Sequence, residues 1–135
     1  MDTISSVRRS ENMRRIKSKG MKPELAVRQI VYAMGYRYRL HSRDLPGKPD
    51  LVFRSRKKVI EVRGCFWHQH RSCRDAHVPK SRTAYWLPKL ARNSERDIAN
   101  CRRLRALGWR VLVVWECDVN DPRTLSAKLR KFLHP

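Results

Sequence analysis

A β-prone run, Lys58-Val59-Ile60-Glu61-Val62, leads straight into a segment dense in metal donors and aromatics, Arg63-Gly64-Cys65-Phe66-Trp67-His68-Gln69-His70-Arg71-Ser72-Cys73. A chain with this order has to hang an irregular loop from the end of a strand and give its thiols and imidazoles a common partner. Cys65, His70 and Cys73 supply two thiolates and one imidazole within nine positions, a spacing that one loop can fold around a tetrahedral zinc. A fourth donor is required. Cys117, two residues beyond the apolar run Val111–Trp115, fills that place if its strand neighbours Lys58–Val62, and His77 is the spare. Four protein donors leave no open position for water, so such a zinc is structural rather than catalytic. Cys101 lies among apolar residues at helical spacing and reads as a buried packing thiol.

Charge narrows the partner. The 135 residues carry 32 Lys and Arg against 12 Asp and Glu, a formal net charge of +20. Self-repulsion on this scale is relieved by a polyanion, and nucleic acid is the expected one. A membrane partner is not expected, because the basic residues are spread along the chain and no apolar stretch is long enough to span a bilayer. The N-terminus has no signal-peptide pattern, so a cytoplasmic setting is expected, where cysteines stay reduced.

Punctuation and periodicity give one domain, residues 21–135, preceded by a basic arm over residues 1–20 with one short helix. Pro23-Glu24 opens a helix with Leu25, Ala26, Ile30, Ala33 and Met34 on its apolar face, stopped at Gly35. Tyr36–Leu40 alternates as a half-buried strand does, and a turn-rich loop runs from His41 to Pro49. Leu51–Phe53 and Lys58–Val62 form a hairpin. Ser81–Ala91 is weakly helical. Ser94-Glu95-Arg96-Asp97 fits a capping pattern opening a separate helix that carries Ile98, Cys101, Leu104 and Leu107. Val111–Trp115 reads as a strand covered on both faces, and Asp121-Pro122 starts a last helix with Leu125, Leu129 and Phe132 inward. The order α-β-β-β-α-β-α predicts an α/β fold, a mixed sheet flanked by helices.

Catalytic chemistry has to come from outside the zinc loop. Asp50 and Glu61, spaced across the hairpin, offer the hard oxygens that suit Mg²⁺. His68 is a candidate general base, with Asp97 to orient its ring. A solvated His68 and a helix-capping Asp97 are the plainer alternatives. Phe66 and Trp67, adjacent and flat, are candidates for wedging between base pairs, with Met13 in the arm as a second wedge; core packing is the competing reading. Together these residues point to a nuclease.

Three separated segments, Leu45-Pro46-Gly47-Lys48-Pro49-Asp50, Gly64-Cys65-Phe66-Trp67-His68 and Gly108–Cys117, with Arg9–Arg14 and Asn93–Asp97, resemble the Vsr family of very-short-patch mismatch repair endonucleases. The resemblance implies a restriction-endonuclease-like fold and Mg²⁺-dependent nicking of one DNA strand 5′ of the thymine in a T:G mismatch, the product of 5-methylcytosine deamination. By position, it makes Asp50 the metal-binding acid, His68 the general base, Asp97 its orienting carboxylate and Glu24 an acid in the surrounding water network. Cys65, His70, Cys73 and Cys117 would hold the zinc. Phe66 and Trp67 would enter the duplex from one groove and Met13 from the other. Arg63 stands where well-studied members have a histidine that assists the leaving group. The family's second Mg²⁺ ligand is a main-chain carbonyl, here that of Val62, whereas this chain also offers Glu61, which strand alternation can turn away. Gln69 and the Arg71-Ser72 spacer alter the loop between zinc donors. A mismatch has no two-fold symmetry, so a monomer is expected. Two alternatives remain: a nuclease of the same fold acting on intact duplex, and a zinc-stapled nucleic-acid-binding protein without activity.

Overall fold

The computed structural model describes residues 22–134; the basic arm, Met13 included, lies outside the described residues. The elements are α1 (Pro23–Ala33), β1 (Arg39–Leu40), β2 (Leu51–Phe53), β3 (Lys58–Arg63), α2 (Thr83–Ala106), β4 (Arg110–Trp115) and α3 (Pro122–Leu133). They form the expected mixed α/β arrangement. The strands lie in the order β1-β2-β3-β4, with β1·β2 and β2·β3 antiparallel and β3·β4 parallel. The parallel pair needs a crossover, and α2 supplies it.

Strand alternation divides the core in two. Leu51, Phe53, Ile60 and Val114 pack with the buried faces of α1 and α3, through Ala26, Val27, Ile30, Val31, Leu125, Leu129 and Leu133. The intervening residues Val52 and Val59 point to the other face and meet Leu45, Leu104 and Trp109. The sheet therefore carries two helices on one side and α2 on the other. Asp121 caps α3 by accepting a hydrogen bond from the Thr124 N–H at 3.2 Å. At its other end Lys58 Nζ and Arg56 Nη1 donate to the carbonyls of Phe132 and Leu133 at 2.7 and 3.2 Å, placing cations where the helix dipole is negative.

Several expectations need correction. Tyr36–Leu40 is mostly not strand: only Arg39 and Leu40 pair, both exposed, while Tyr36 and Tyr38 lean on the core from an irregular segment. Val111–Trp115 packs against both core clusters, through Val111 on one face and Leu112 and Val114 on the other, but it lies at the sheet edge, with only Val114 fully buried. Phe132 is only partly buried, because the inward row at i, i+4, i+8 is Leu125, Leu129, Leu133.

The largest difference is α2, a single helix of 24 residues that runs through Pro88 and past the expected start at Ser94. Pro88 sits in the second turn, where a missing N–H costs one intrahelical bond, and the remaining length more than replaces it. Ile98 and Leu107, expected inward, are each 55% exposed. Cys101 and Leu104 are buried as expected, together with Leu90, and Asp97 shares their face by spacing.

Candidate active site

Strand register brings the carboxylates together. Leu51 pairs with Ile60, so one step further Asp50 stands opposite Glu61, and the Asp50 Oδ2 accepts a 2.6 Å hydrogen bond from the Val62 N–H. Glu61 and Arg63, two apart on β3, share the α2-facing side and are joined by a 2.6 Å ion pair. Glu61 thus does not turn away from the cleft: it lines the same space as Asp50, Arg63, His68 and Asp97, an open cleft of about 180 Å³. Two carboxylates directly opposed across strands repel each other. Burial raises the Asp50 carboxyl above its usual range, the Val62 N–H opposes that, and the charges of Glu24 and Glu61 add to it. These hard oxygens fit a divalent ion such as Mg²⁺.

The other wall comes from α2. Asn93, Asp97 and Cys101 fall at i, i+4, i+8 on one stripe, and each reaches a different part of the loop or strand opposite. Asn93 Nδ2 donates to the Trp67 carbonyl at 3.1 Å, Asp97 Oδ2 lies 2.5 Å from His68 Nδ1, and the Cys101 thiol donates to Glu61 Oε2 at 3.9 Å. In a neutral ring, an Nδ1–H facing the carboxylate leaves Nε2 as the accepting nitrogen. Arg63 Nη2 also donates to Cys101 Sγ at 3.4 Å, and its Nε lies 4.0 Å from Asp97. Burial opposes the Arg63 charge, but Glu61 and Asp97 more than offset it, so the guanidinium is a fixed cation in the cleft. The Pro46–Pro49 turn closes against this wall. Gly47 has φ +75°, and a Cβ there would meet the Asn100 Nδ2 at 2.9 Å. Only glycine lets the turn that delivers Asp50 approach α2 this closely.

The soft donors gather separately. Ligand atoms of Cys65, His70, Cys73 and Cys117 all lie within 4.8 Å of one another; His70 Nδ1 is 3.4 Å from Cys117 Sγ and 3.7 Å from Cys65 Sγ. Those separations suit a tetrahedral zinc, whose sulfur–nitrogen edges span roughly 3.5 Å. His77 is not part of this group. Arg63 pairs with Trp115 across β3 and β4, so Cys65 and Cys117, each two residues on, leave the sheet side by side. The His70 ring stacks on Trp115 at 4.1 Å. Burial first, and then the neighbouring Cys117 and Cys73 thiols, push Cys65 up to about 12, against the pull of the Cys117 backbone N–H. A cation is what would draw these thiols into their anionic form.

Phe66 and Trp67 do not enter either core cluster. They meet each other and Trp86 edge to face, at ring distances of 5.2, 5.3 and 5.7 Å, and Trp67 is 44% exposed. Lys89 Nζ hovers 5.2 Å from the Trp67 ring. The result is an aromatic ridge beside the cleft with a cation at its crest.

The model of the family described as DNA mismatch endonuclease Vsr matches residues 1–75. The chain belongs to the Vsr family. Vsr-family relatives match over nearly the full length. A type II nicking enzyme, V.XorIIP of Xanthomonas oryzae pv. oryzae, is 49% identical over 134 residues, 99% of this chain and 98% of the relative. The DNA mismatch endonuclease Vsr of Escherichia coli is 41% identical over 125 residues, 93% of this chain and 80% of the relative. A type II nicking enzyme of Neisseria meningitidis, V.NmeAIP, is 40% identical over 132 residues, 98% and 94% of the two chains. This Vsr-family chain is thus one of a group of DNA endonucleases, and among its described residues no helix is long and apolar enough to cross a membrane.

The roles of two residues that contact the cleft's lining escaped the sequence reading. Cys101, expected to be inert, hydrogen-bonds both Glu61 and Arg63. His41, expected only as the start of a loop, has its Nε2 2.9 Å from Glu24 Oε1 and its Nδ1 3.8 Å from Asp50 Oδ1. The helical phase that Cys101 shares with Asp97 was a usable signal. His41 had none, because its relation to Asp50 exists only through the pairing of β1 with β2.

Proposed function

We propose that this protein is a mismatch endonuclease that nicks one strand of duplex DNA on the 5′ side of the thymine in a T:G pair. The observation that carries the reading is the His68–Asp97 pair facing Asp50 and Glu61 across one cleft, with the Phe66–Trp67 ridge beside it. The α/β sheet with helices on both faces supports a restriction-endonuclease-like architecture, in which acids at the end of a hairpin meet the scissile phosphate.

In this reading His68 Nε2 accepts a proton from the attacking water while Asp97 keeps the ring oriented and stabilises the imidazolium that forms. Asp50 and the Val62 carbonyl hold Mg²⁺, with Glu61 as a further oxygen donor and Glu24 ordering water nearby. When bound, that ion would polarise the phosphate and offset charge on the departing oxygen. Arg63 supplies a permanent positive charge beside the leaving group; it stabilises but cannot donate a proton. Cys65, His70, Cys73 and Cys117 clamp a structural zinc, fixing the loop that presents Phe66, Trp67 and His68. Phe66 and Trp67 unstack the mismatched pair from one groove and Met13 from the other, a kink that is cheaper at a poorly stacked T:G pair. The enzyme acts as a monomer in the cytoplasm.

A second reading has support in the relatives called type II nicking enzymes: recognition of a sequence in intact duplex. Two duplexes identical except for T:G or T:A at one position, incubated with protein and Mg²⁺, separate the two. Nicking of the T:G strand alone is expected. Equal nicking of both duplexes selects the second reading, and no nicking of either removes both.

A further inference from the structure

We propose that Glu24, His41 and Asp50 form a cation site with a nitrogen ligand, one that takes a transition-metal divalent ion such as Mn²⁺ more tightly than Mg²⁺. The site shares Asp50 with the nuclease reading, and to that extent rests on it. Its parts come from three elements. Glu24 lies in the first turn of α1, His41 follows β1 directly, and Asp50 precedes β2. The His41 N–H bonds to the Asp50 carbonyl at 3.3 Å, continuing the β1·β2 ladder, so His41, Asp50 and Glu61 stand in one row across the sheet end.

One ligand atom from each of Glu24, His41 and Asp50 lies within 4.8 Å of the others. The closest pair is informative. Glu24 Oε1 is buried and 2.9 Å from His41 Nε2, yet it has no hydrogen-bond partner among the described residues. The two atoms are near without the alignment of donor and acceptor. Neighbouring ligands on an octahedral ion, each about 2.1 Å from it, stand roughly 3 Å apart, which is the separation seen. Backbone geometry supports a built site: His41 is held at φ 47°, a left-handed conformation that non-glycine residues adopt chiefly where surroundings enforce it. The imidazole is half exposed, which leaves the remaining coordination positions open to water or to phosphate oxygens.

The nitrogen decides the metal. Mg²⁺ is served by oxygen ligands, whereas imidazole suits first-row transition ions, whose affinity rises from Mn²⁺ upward. Mn²⁺ is the probe of choice because its unpaired electrons report a coordinated ¹⁴N directly. The experiment uses full-length protein with the thiol cluster zinc-loaded and no DNA. Mn²⁺ is titrated and pulsed electron paramagnetic resonance is recorded on the bound ion. Wild type is expected to show ¹⁴N coupling from one imidazole. His41→Gln is expected to abolish the coupling and weaken Mn²⁺ binding roughly tenfold or more, with a smaller change for Mg²⁺. Glu24→Gln, a second variant should the first not fold, is expected to weaken Mn²⁺ binding while keeping the coupling. Wild type without ¹⁴N coupling, or coupling that persists in His41→Gln, overturns the site. Nicking of the T:G duplex with Mg²⁺ is scored separately: nicking without nitrogen coupling refutes this ligand set and spares the nuclease, and coupling without nicking does the reverse.

Discussion

The acidic cleft and the thiol cluster are both gatherings of side chains able to bind metal, but they are held by different means. The cleft is built on regular elements: Asp50 and Glu61 are placed by strand register, and Asp97 and Cys101 by one stripe of α2. Its wall residues also satisfy one another, through Glu61–Arg63 and His68–Asp97. The cluster draws three of its four donors from a loop held by local turn bonds, with Gln69 at φ 50° and Ser72 at φ 60°. Burial raises the Cys65 and Cys117 thiols above their ordinary range, so their anionic forms call for a cation. Removing metal should therefore cost the cleft its chemistry and the cluster its shape.

The largest effect that would sharpen this contrast is on catalysis. Asp50→Ala is expected to lower single-turnover nicking by on the order of 10³-fold, since an ion polarising the phosphate supplies several kcal/mol to the transition state. DNA affinity by gel shift should stay near wild type. Asp97→Asn comes next: the ring keeps a partner but loses the charge that supports the imidazolium, and a fall of roughly 100-fold is expected. An unchanged rate in either variant would mean that the wall is merely structural.

For the cluster, the expected damage is to stability. Cys73→Ser, or chelation of bound zinc, should lower the melting temperature by more than about 5 °C, as expected for a loss of roughly 1–2 kcal/mol in a domain of this size. Trp115 fluorescence should change as His70 leaves its ring. A zinc-free preparation that melts normally would break the comparison. The smallest effect has the opposite sign. Asp50 is raised above 3.8 by burial, with Glu24 and Glu61 adding to it. A carboxyl raised on folding contributes stability below its unfolded pKa and loses it as pH rises through the folded value, so at neutral pH the ionised form is a burden. Asp50→Asn, which still accepts from the Val62 N–H, should melt slightly higher than wild type at pH 7. That gain should vanish below about pH 4. A lower melting temperature at pH 7 would show that Asp50 stabilises the metal-free fold.

What the sequence made legible follows the range of the interactions. Pro23, Gly35 and Asp121 act within one turn, and the helices they bound are where they were expected. Cys65, His70 and Cys73 are close in sequence, and Cys117 was reachable because two adjacent strands are a common way to bring distant residues together. Ser94-Glu95-Arg96-Asp97 misled because a capping pattern is local, while the continuation of α2 through it is decided by the contacts of Asn93, Asp97 and Cys101. Val111–Trp115 was legible as a strand of a sheet covered on both faces, but hydrophobicity does not say whether a strand is central or at an edge. His41 was invisible for the same kind of reason: nothing nearby in the chain marks it, and only sheet pairing sets it beside Asp50.

The equal offset of Cys65 and Cys117 from a paired register has a consequence for assembly. A slip of β4 by one residue against β3 would carry Cys117 about 3.3 Å along the strand direction and reverse the face it presents, leaving three donors and an incomplete polyhedron. Residues 64–109 must be looped out before these strands can dock, which makes theirs the most sequence-distant pairing in the sheet. Tight zinc uptake by the proposed site would then act as a proofreading signal, acquired only by chains whose sheet has closed in the correct alignment.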